Sequence, residues 1–390
     1  MNNITFAIFG AFGRQGIALV RWLTKFFQEN SDIKFVLIDN TNMFGKTYII
    51  DEISKITKNF YTYFTDISKS KYLKKFLEEE GVNVCIGALP SNLQYSAAKI
   101  ASGCGAHYFD LGANNKVLEK QRGLGEKFEK NGHIIMPFCG FDPGVLNELL
   151  ISCARKIDCA EIKVYVGCIP ADRPNNEFHH EWTFNIKSTL ETYIGDVFII
   201  EDGKIKNVKA LEGYREINIE NRRFEAFQTN CGNGDTIKLI ASDNKLKNCE
   251  IFTVRYPGHL KAIEKYLTSN SFNKSIFSEA QKIPYSKKDM AFLRIIMNKD
   301  FGENGKIDIH KVCEIEWIEY ADNTQMAIEK VTAGCATLFI KRVLDYINSG
   351  SRLSGFMLPE TFSNDILNLG PEDIVGKLQE YGFNITLIPE

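Results

Sequence analysis

The chain has 390 residues, 44% of them apolar and 25% charged, with a net charge of −2. That length supports two domains with sizeable cores, and the balanced charge offers no field to draw in nucleic acid or an anionic membrane. No apolar run approaches the ~20 residues of a membrane helix, and ten cysteines scattered singly, with no C-x-x-C pair, argue against a zinc centre or a disulfide framework.

Strand and helix alternate through the first 145 residues. Strands are predicted at Thr5–Phe9, Phe35–Asp39, Asn59–Phe64, Val84–Ala88, His107–Asp110 and His133–Phe138, with helices at Gln15–Phe27, Lys69–Glu80, Leu93–Gly103 and Lys116–Asn131. Such alternation with short connections predicts a parallel sheet covered on both faces. Right-handed crossovers then make residues 1–145 a doubly wound Rossmann domain, so the fold class is α/β. The first strand starts almost at the N-terminus, so no secretory leader is expected. A cytoplasmic enzyme with reduced thiols is expected.

From Gly144 on, the texture changes. A helix is predicted at Val145–Arg155, followed by alternating strands such as Ile162–Val166, Val197–Glu201 and Cys249–Arg255. Glu201-Asp202-Gly203-Lys204 reads as a hairpin turn, and Gly232-Asn233-Gly234 as a plain turn. Helical stretches are predicted at Leu260–Thr268 and Lys287–Asn298. Residues 146–325 are therefore expected to form an α+β substrate and dimerisation domain with a mainly antiparallel sheet. A long helix, Met326–Ile347, opens a C-terminal segment, 326–390, expected to return to the Rossmann domain. That segment ends in a helix at Pro371–Tyr381 and a strand at Asn384–Ile388.

The chemistry starts in the first turn. Gly10, Gly13 and Gly16 space as G-x-x-G-x-x-G between a strand and a helix. This is a variant of the dinucleotide fingerprint, with Phe12 where the usual G-x-G-x-x-G has its second glycine. Glycine there permits a tight turn, close approach of backbone to a pyrophosphate and close helix–sheet packing, and the helix N-terminus favours the anion. Gly10, Phe12, Gly13, Arg14, Gln15 and Gly16 are thus cofactor-binding candidates. Asp39, at the end of the second strand, should accept hydrogen bonds from a ribose and repel a 2′-phosphate, favouring NAD over NADP. Arg14 could instead contact a 2′-phosphate. Asp66 and Ile67 follow the third strand, where the adenine is expected, although Asp66 would serve equally as a helix cap.

Ligands of open α/β sheets gather outside the carboxyl ends of the strands. This marks Ala88, Leu89 and Pro90, the Asp110-Leu111-Gly112 run, and Asp142 of Phe141-Asp142-Pro143-Gly144. Asp110 and Asp142 would face a cleft between domains. Farther on, Arg255 offers a fork for a substrate carboxylate, and His259 a proton acceptor near neutral pH. His179-His180-Glu181 is too isolated to predict a metal site, so none is expected. Arg222-Arg223 reads as a solvated pair.

Taken in order, the glycine loop, His107–Gly112, Gly140-Phe141-Asp142-Pro143-Gly144, Val197–Lys204 and Thr253-Val254-Arg255-Tyr256-Pro257-Gly258-His259 resemble the saccharopine dehydrogenase (reductase)-like oxidoreductases. They are most similar to the lysine 6-dehydrogenase-like proteins. A thinner similarity continues around Lys330–Gly334. The resemblance implies a homodimer and hydride transfer between NAD and the amine-bearing carbon of a lysine-like amino acid. It also implies that Arg255, Tyr256, Asn147 and Thr332 bind substrate, while Asp110, Asp142 and His259 are catalytic candidates. Saccharopine or carboxynorspermidine is the alternative substrate, for which Arg222 or Arg223 would be a second anchor. A catalytically silent NAD sensor is the alternative from another class.

Overall fold

The computed structural model describes the whole chain except residues 1–2, 28–31, 41, 43–44, 70–71, 244, 269–270, 301, 303–307 and 390. Two compact units divide it: Met1–Val145 with Thr332–Phe362, and Leu146–Val331 with Ser363–Glu390. The C-terminal segment is therefore shared, whereas the sequence assigned all of 326–390 to the Rossmann side. The division falls inside the helix Ala327–Asn348.

In the first unit the strands β1 (Asn3–Phe9), β2 (Asp32–Asp39), β3 (Phe60–Phe64), β4 (Val84–Gly87), β5 (His107–Asp110) and β6 (Ile134–Met136) lie in the order β6-β5-β4-β1-β2-β3. A seventh, Gly355–Phe356, adds beside β6, and all neighbours are parallel. The strands are apolar on both sides because helices cover both faces. Ala97, Ala98 and Ala101 of the helix Ser91–Cys104 share one core cluster with Phe9, Val36, Cys85 and Ile135. Small alanines let that helix lie close to the sheet. The order reverses at β1 and β4, and there the chain leaves the sheet on opposite sides and opens a crevice.

The second unit is built on a mixed sheet. The strands β7 (Glu161–Pro170), β8 (Asp196–Glu201), β9 (Lys204–Lys209), β10 (Arg215–Ile219), β11 (Arg222–Phe227) and β12 (Asn248–Arg255) join three longer-range partners, Asp289–Asp300, Ile309–Tyr320 and Ile385–Pro389. Among the described residues of this sheet only β7 and β12 pair in parallel, and every other neighbour is antiparallel. The Asp202-Gly203 turn closes the β8–β9 hairpin with both residues at positive φ, the geometry such two-residue turns require.

One predicted helix is a strand. Lys287–Asn298 reads as helical, but Asp289–Asp300 pairs with β7 over ten residues and with Ile309–Tyr320 on its other side. Its run Met290-Ala291-Phe292-Leu293 is buried throughout. A strand covered on both faces loses the alternation that would have marked it. The predicted Leu260–Thr268 helix is shorter, His259–Glu264, and the helices Thr47–Ile56, Ile186–Glu191, Gly234–Ser242, Ser275–Lys282 and Pro359–Thr361 went unpredicted.

Alternation along β11 and β12 does survive, and it sorts their side chains. Phe224, Ala226, Phe252, Val254 and Tyr256 enter one core cluster, with Met290 and Phe292. Phe227 enters another, with Phe178, Trp182, Tyr193, Leu260 and Ile263. Arg255 stands opposite Glu225 in the β11–β12 register, one residue out of phase with Val254 and Tyr256, and so projects to the Phe227 side.

Candidate functional site

At the crevice of the first unit the glycine loop is packed too closely for any side chain at two positions. Gly10 has φ +78°, and a Cβ there would lie 2.3 Å from the Ala88 carbonyl oxygen. At Gly16 a Cβ would lie 2.4 Å from the Gly10 oxygen and 2.6 Å from Ala11. Gly13 is roomier, with its nearest neighbour at 3.3 Å. The Gly10 and Ala11 N–H groups both donate to the Ile38 carbonyl, at 2.8 and 3.2 Å.

Phe12 explains the departure from the usual fingerprint. Its ring is buried edge-on against Phe64 at the end of β3, centroids 5.3 Å apart. Its N–H donates to Asp39 Oδ2 at 2.8 Å. It is absent from the positive-φ positions, so its φ does not call for glycine. Asp39 therefore joins β2 to the loop, while Oδ1 accepts from the Asn40 N–H. Burial raises its pKa, against the pull of these two N–H groups and Lys46. The other candidates gather at the same strand ends: the Ala88 N–H donates to the Phe9 carbonyl, and Leu111 N–H to the Gly87 carbonyl. Asp66 is exposed and accepts from Ser68 N–H and Oγ, which lowers its pKa. These bonds close a turn and do not cap a helix, since the next helix starts at Leu73 behind Tyr72, while Ile67 is buried in the core.

The carboxylate candidates differ from each other. Asp110 is 0% exposed. Its Oδ1 accepts from Gly112 N–H at 2.8 Å and Phe138 N–H at 3.2 Å, and its Oδ2 from Gln121 Nε2 at 2.5 Å. Burial still raises its pKa above the ordinary value. Asp142 is half-buried in the Gly140–Gly144 turn, where Val145 N–H donates to the Gly140 carbonyl. The Thr332 methyl lies 3.6 Å from where a Gly140 Cβ would be, so Thr332 borders this turn.

In the second unit Arg255 is 4% exposed. Its Nε donates to Tyr193 Oη at 2.9 Å and its Nη1 to the Val254 carbonyl at 2.8 Å. Both acceptors are neutral, and Arg255 makes no ion pair among the described residues. A buried guanidinium without a carboxylate is expensive unless an anion completes it. Asn147 is 1% exposed, and its Oδ1 has no hydrogen-bond partner among the described residues.

Two sequence-predicted residues have other work here. His259 is fully buried, with Nε2 3.0 Å from Tyr193 Oη and Nδ1 2.7 Å from the Phe178 carbonyl. Both ring nitrogens are engaged, and burial followed by the Arg255 charge lowers its pKa to about 3. The proton acceptor expected from the sequence is a neutral core imidazole in the structure. Tyr256 faces away from Arg255, and its hydroxyl is bonded to the Pro170 and Ala171 carbonyls. Arg222 bonds the Ala171 carbonyl, Tyr320 and Glu220, and Arg223 pairs with Glu216. Arg223 is exposed, as the solvated reading expected, whereas Arg222 is half-buried, and with Tyr256 they line a groove of about 540 Å³. Tyr193 and Glu225 were missed. Tyr193 lies 62 residues before Arg255 and carries no local motif. Glu225 accepts from Gly258 and Leu260 N–H, which pins the turn before His259.

His259 makes stability fall in acid. Below pH 6.5 the unfolded chain binds a proton that the folded chain refuses until about pH 3. Stability is therefore lost as pH drops through that window. Moving from pH 7 to pH 5 should remove about 2 kcal/mol through this imidazole. Urea unfolding at both pH values should show a smaller loss in His259→Gln; an unchanged loss would refute the assignment.

No group of three His, Cys, Asp or Glu able to hold a metal occurs among the described residues, and no helix of theirs is long and apolar enough to cross a membrane. No curated protein matches the sequence. Among solved structures, the saccharopine dehydrogenase (L-Glu forming) of Saccharomyces cerevisiae superposes with TM-score 0.72 at 14% identity, over 99% of this chain and 100% of that one. At that identity the likeness speaks for the fold. A dehydrogenase of Clostridium difficile (TM-score 0.40, 11% identity, 97% of each chain) and a meso-dapdh variant of Clostridium tetani with DAP (TM-score 0.43, 12% identity, 97% and 99%) are more distant. The saccharopine dehydrogenase C-terminal domain family matches residues 140–383, well over half of the chain. That match runs from the Gly140 turn through the Arg255 strand to the last helix, and the chain belongs to the saccharopine dehydrogenase family of oxidoreductases.

Proposed function

We propose that the protein is an NAD(H)-dependent oxidoreductase acting at the amine-bearing carbon of a lysine-like amino acid. The observation that carries the substrate class is Arg255, a buried guanidinium whose protein partners are all neutral. An amino-acid carboxylate supplies the missing anion, accepting from the part of the guanidinium that the protein's own acceptors leave open. Asn147 Oδ1, a buried acceptor awaiting a donor, suits the substrate ammonium.

The cradle for the dinucleotide is the loop from Gly10 to Gly16, where backbone packing leaves no room for a Cβ at either end. Asp39 can add ribose hydroxyls to the N–H groups it already accepts, since a carboxylate has about four lone-pair sites. Its negative charge favours NAD over NADP. When bound, the nicotinamide takes up or returns hydride, which is the cofactor's own chemistry. The protein orients the amine-bearing carbon, excludes water and retains charge where the substrate needs it. Oxidation converts the amine to an imine that water hydrolyses. Asp110, fully buried with its acceptor sites used by Gly112, Phe138 and Gln121, holds the strand ends in shape. Asp142 is the better placed of the two carboxylates to exchange a proton, being half-buried rather than enclosed.

Saccharopine-type substrates carry further carboxylates and need a further cation. Arg223 would have to leave Glu216, and Arg222 would have to leave Glu220, which favours the lysine-like reading. Reduction of NAD⁺ in the presence of lysine, ornithine, saccharopine or carboxynorspermidine is the direct test. Turnover with lysine is expected. No turnover with any of the four, alongside tight NADH binding, would point to a sensor. Replacing Asp39 with serine should lower kcat/KM for NAD⁺ about 10- to 100-fold, the worth of one or two charged hydrogen bonds, and raise that for NADP⁺. A wild-type enzyme that prefers NADP⁺ would overturn the reading of Asp39.

A further inference from the structure

We propose that Tyr193 is a positioning residue that orients the Arg255 guanidinium for the substrate carboxylate; the proposal rests on the reading of Arg255 given above. Tyr193 is fully buried in the cluster with Phe178, Trp182 and Phe227. Its hydroxyl stands between Arg255 Nε at 2.9 Å and His259 Nε2 at 3.0 Å, and His259 Nδ1 stands 2.7 Å from the Phe178 carbonyl.

The direction of every hydrogen bond in this row follows from its two ends. The Phe178 carbonyl can only accept, so His259 Nδ1 carries the proton. The imidazole is neutral, so Nε2 is an acceptor and Tyr193 must donate to it. The phenol oxygen is then left with its lone pairs toward Arg255, whose Nε–H can only donate. No hydroxyl rotor or tautomer is left free. The imidazole is further fixed by rings on several sides: Phe227 lies parallel to it at 6.4 Å, and His180 packs edge-on at 5.1 Å. Burial and the Arg255 charge suppress its protonation down to about pH 3, so the row keeps its polarity throughout the neutral range.

For the guanidinium the consequence is geometric. Nε is fixed by Tyr193 and Nη1 by the Val254 carbonyl, and two fixed nitrogens define the plane of a rigid group. Nη2 is then the nitrogen whose direction is set without a bonded protein acceptor among the described residues. A phenol is also the right kind of partner. An aspartate or glutamate at position 193 would orient Arg255 equally well, but it would neutralise the cation and compete with the substrate. A neutral oxygen orients the fork and leaves its charge available.

The test is a double-mutant cycle in the full-length protein, using Y193F, R255M and Y193F/R255M. Lysine, ornithine, saccharopine and carboxynorspermidine are the probes, read by calorimetric binding and, where turnover occurs, by KM and kcat. Y193F should weaken amino-acid binding about 10- to 100-fold and change kcat much less, the mark of lost ground-state orientation. NADH affinity should stay within about twofold of wild type. In the R255M background Y193F should add less than about twofold, because the residue acts through Arg255. Full multiplication of the two effects, or no change in binding with Y193F, would overturn the proposal while leaving Arg255 as the anchor. No effect of R255M, or no binding of any probe to wild type, would instead overturn the reading of Arg255 and the positioning role with it. Should Y193F fail to fold, H259N takes its place. Asparagine can keep the bond to the Phe178 carbonyl but gives the Tyr193 hydroxyl nothing to donate to, and it should weaken binding by about 3- to 10-fold. Unchanged binding in a folded H259N would likewise overturn the proposal.

Discussion

Replacing Arg255 with methionine is expected to lower kcat/KM for the amino acid by about 10²- to 10³-fold, because removing one member of a buried charged pair costs about 2–5 kcal/mol. Methionine keeps much of the stem volume in the Phe227 cluster and removes only the fork. NADH binding should hold, since the glycine loop and Asp39 lie in the other unit. Lysine at 255 should recover only part of the loss: it keeps the charge but presents a single ammonium where Tyr193, the Val254 carbonyl and a carboxylate ask for three nitrogens. Stability and affinity should also move in opposite directions. An unpaired buried guanidinium is a burden on the apo fold, so R255M should unfold no more readily than wild type in urea while binding amino acid far more weakly. Steady-state kinetics with urea unfolding checks both. An unchanged KM in R255M would move the carboxylate anchor elsewhere.

Gly10→Ala should be nearly as damaging, at the cofactor. A Cβ at position 10 would lie 2.3 Å from the Ala88 oxygen and 3.1 Å from its carbonyl carbon. Both are backbone atoms of the chain leaving β4, so no side chain can swing away. The φ of +78° adds roughly 1–2 kcal/mol for any L-residue. Relief requires the ends of β1 and β4 to part, at the point where a pyrophosphate would approach. A loss of about 3 kcal/mol or more in unfolding free energy and a drop in NADH affinity of over ~100-fold are expected. Gly13→Ala is the control. Its nearest neighbour is at 3.3 Å and its φ is not positive, so its stability loss should stay under about 1 kcal/mol. Fluorescence titration with NADH and urea unfolding of the two variants test the loop. Equal behaviour of G10A and G13A would refute the packing account.

Much of the first unit can be read from residue order. Its strands are buried on both faces, so they appear as short apolar runs between glycine-punctuated turns, as in Phe6-Ala7-Ile8-Phe9 before Gly10. The same burial misleads in the second unit. Met290-Ala291-Phe292-Leu293 is also apolar throughout, but it lacks the glycine punctuation and contains good helix formers. Only its pairing with β7 and Ile309–Tyr320 makes it a strand. Phe12 is a related case. As a motif position it looks like a defect, whereas in three dimensions its ring meets Phe64 and its N–H meets Asp39.

Local order was sufficient for the dinucleotide turn, the doubly wound sheet and the identity of the residues that carry charge, because each depends on neighbours within a few positions of the chain. Roles were another matter. Asp110 and His259 were both plausible catalysts by type and position. Folding enclosed Asp110 among Gly112, Phe138 and Gln121, and tied both nitrogens of His259 to Tyr193 and Phe178. Arg255 differs from both, since its hydrogen-bond acceptors are neutral and it makes no ion pair among the described residues. Whether a titratable side chain acts on a substrate or holds the core depends on its burial and on which donors and acceptors reach it. Those partners come from 62 to 81 residues away in this unit, beyond any spacing a linear pattern encodes.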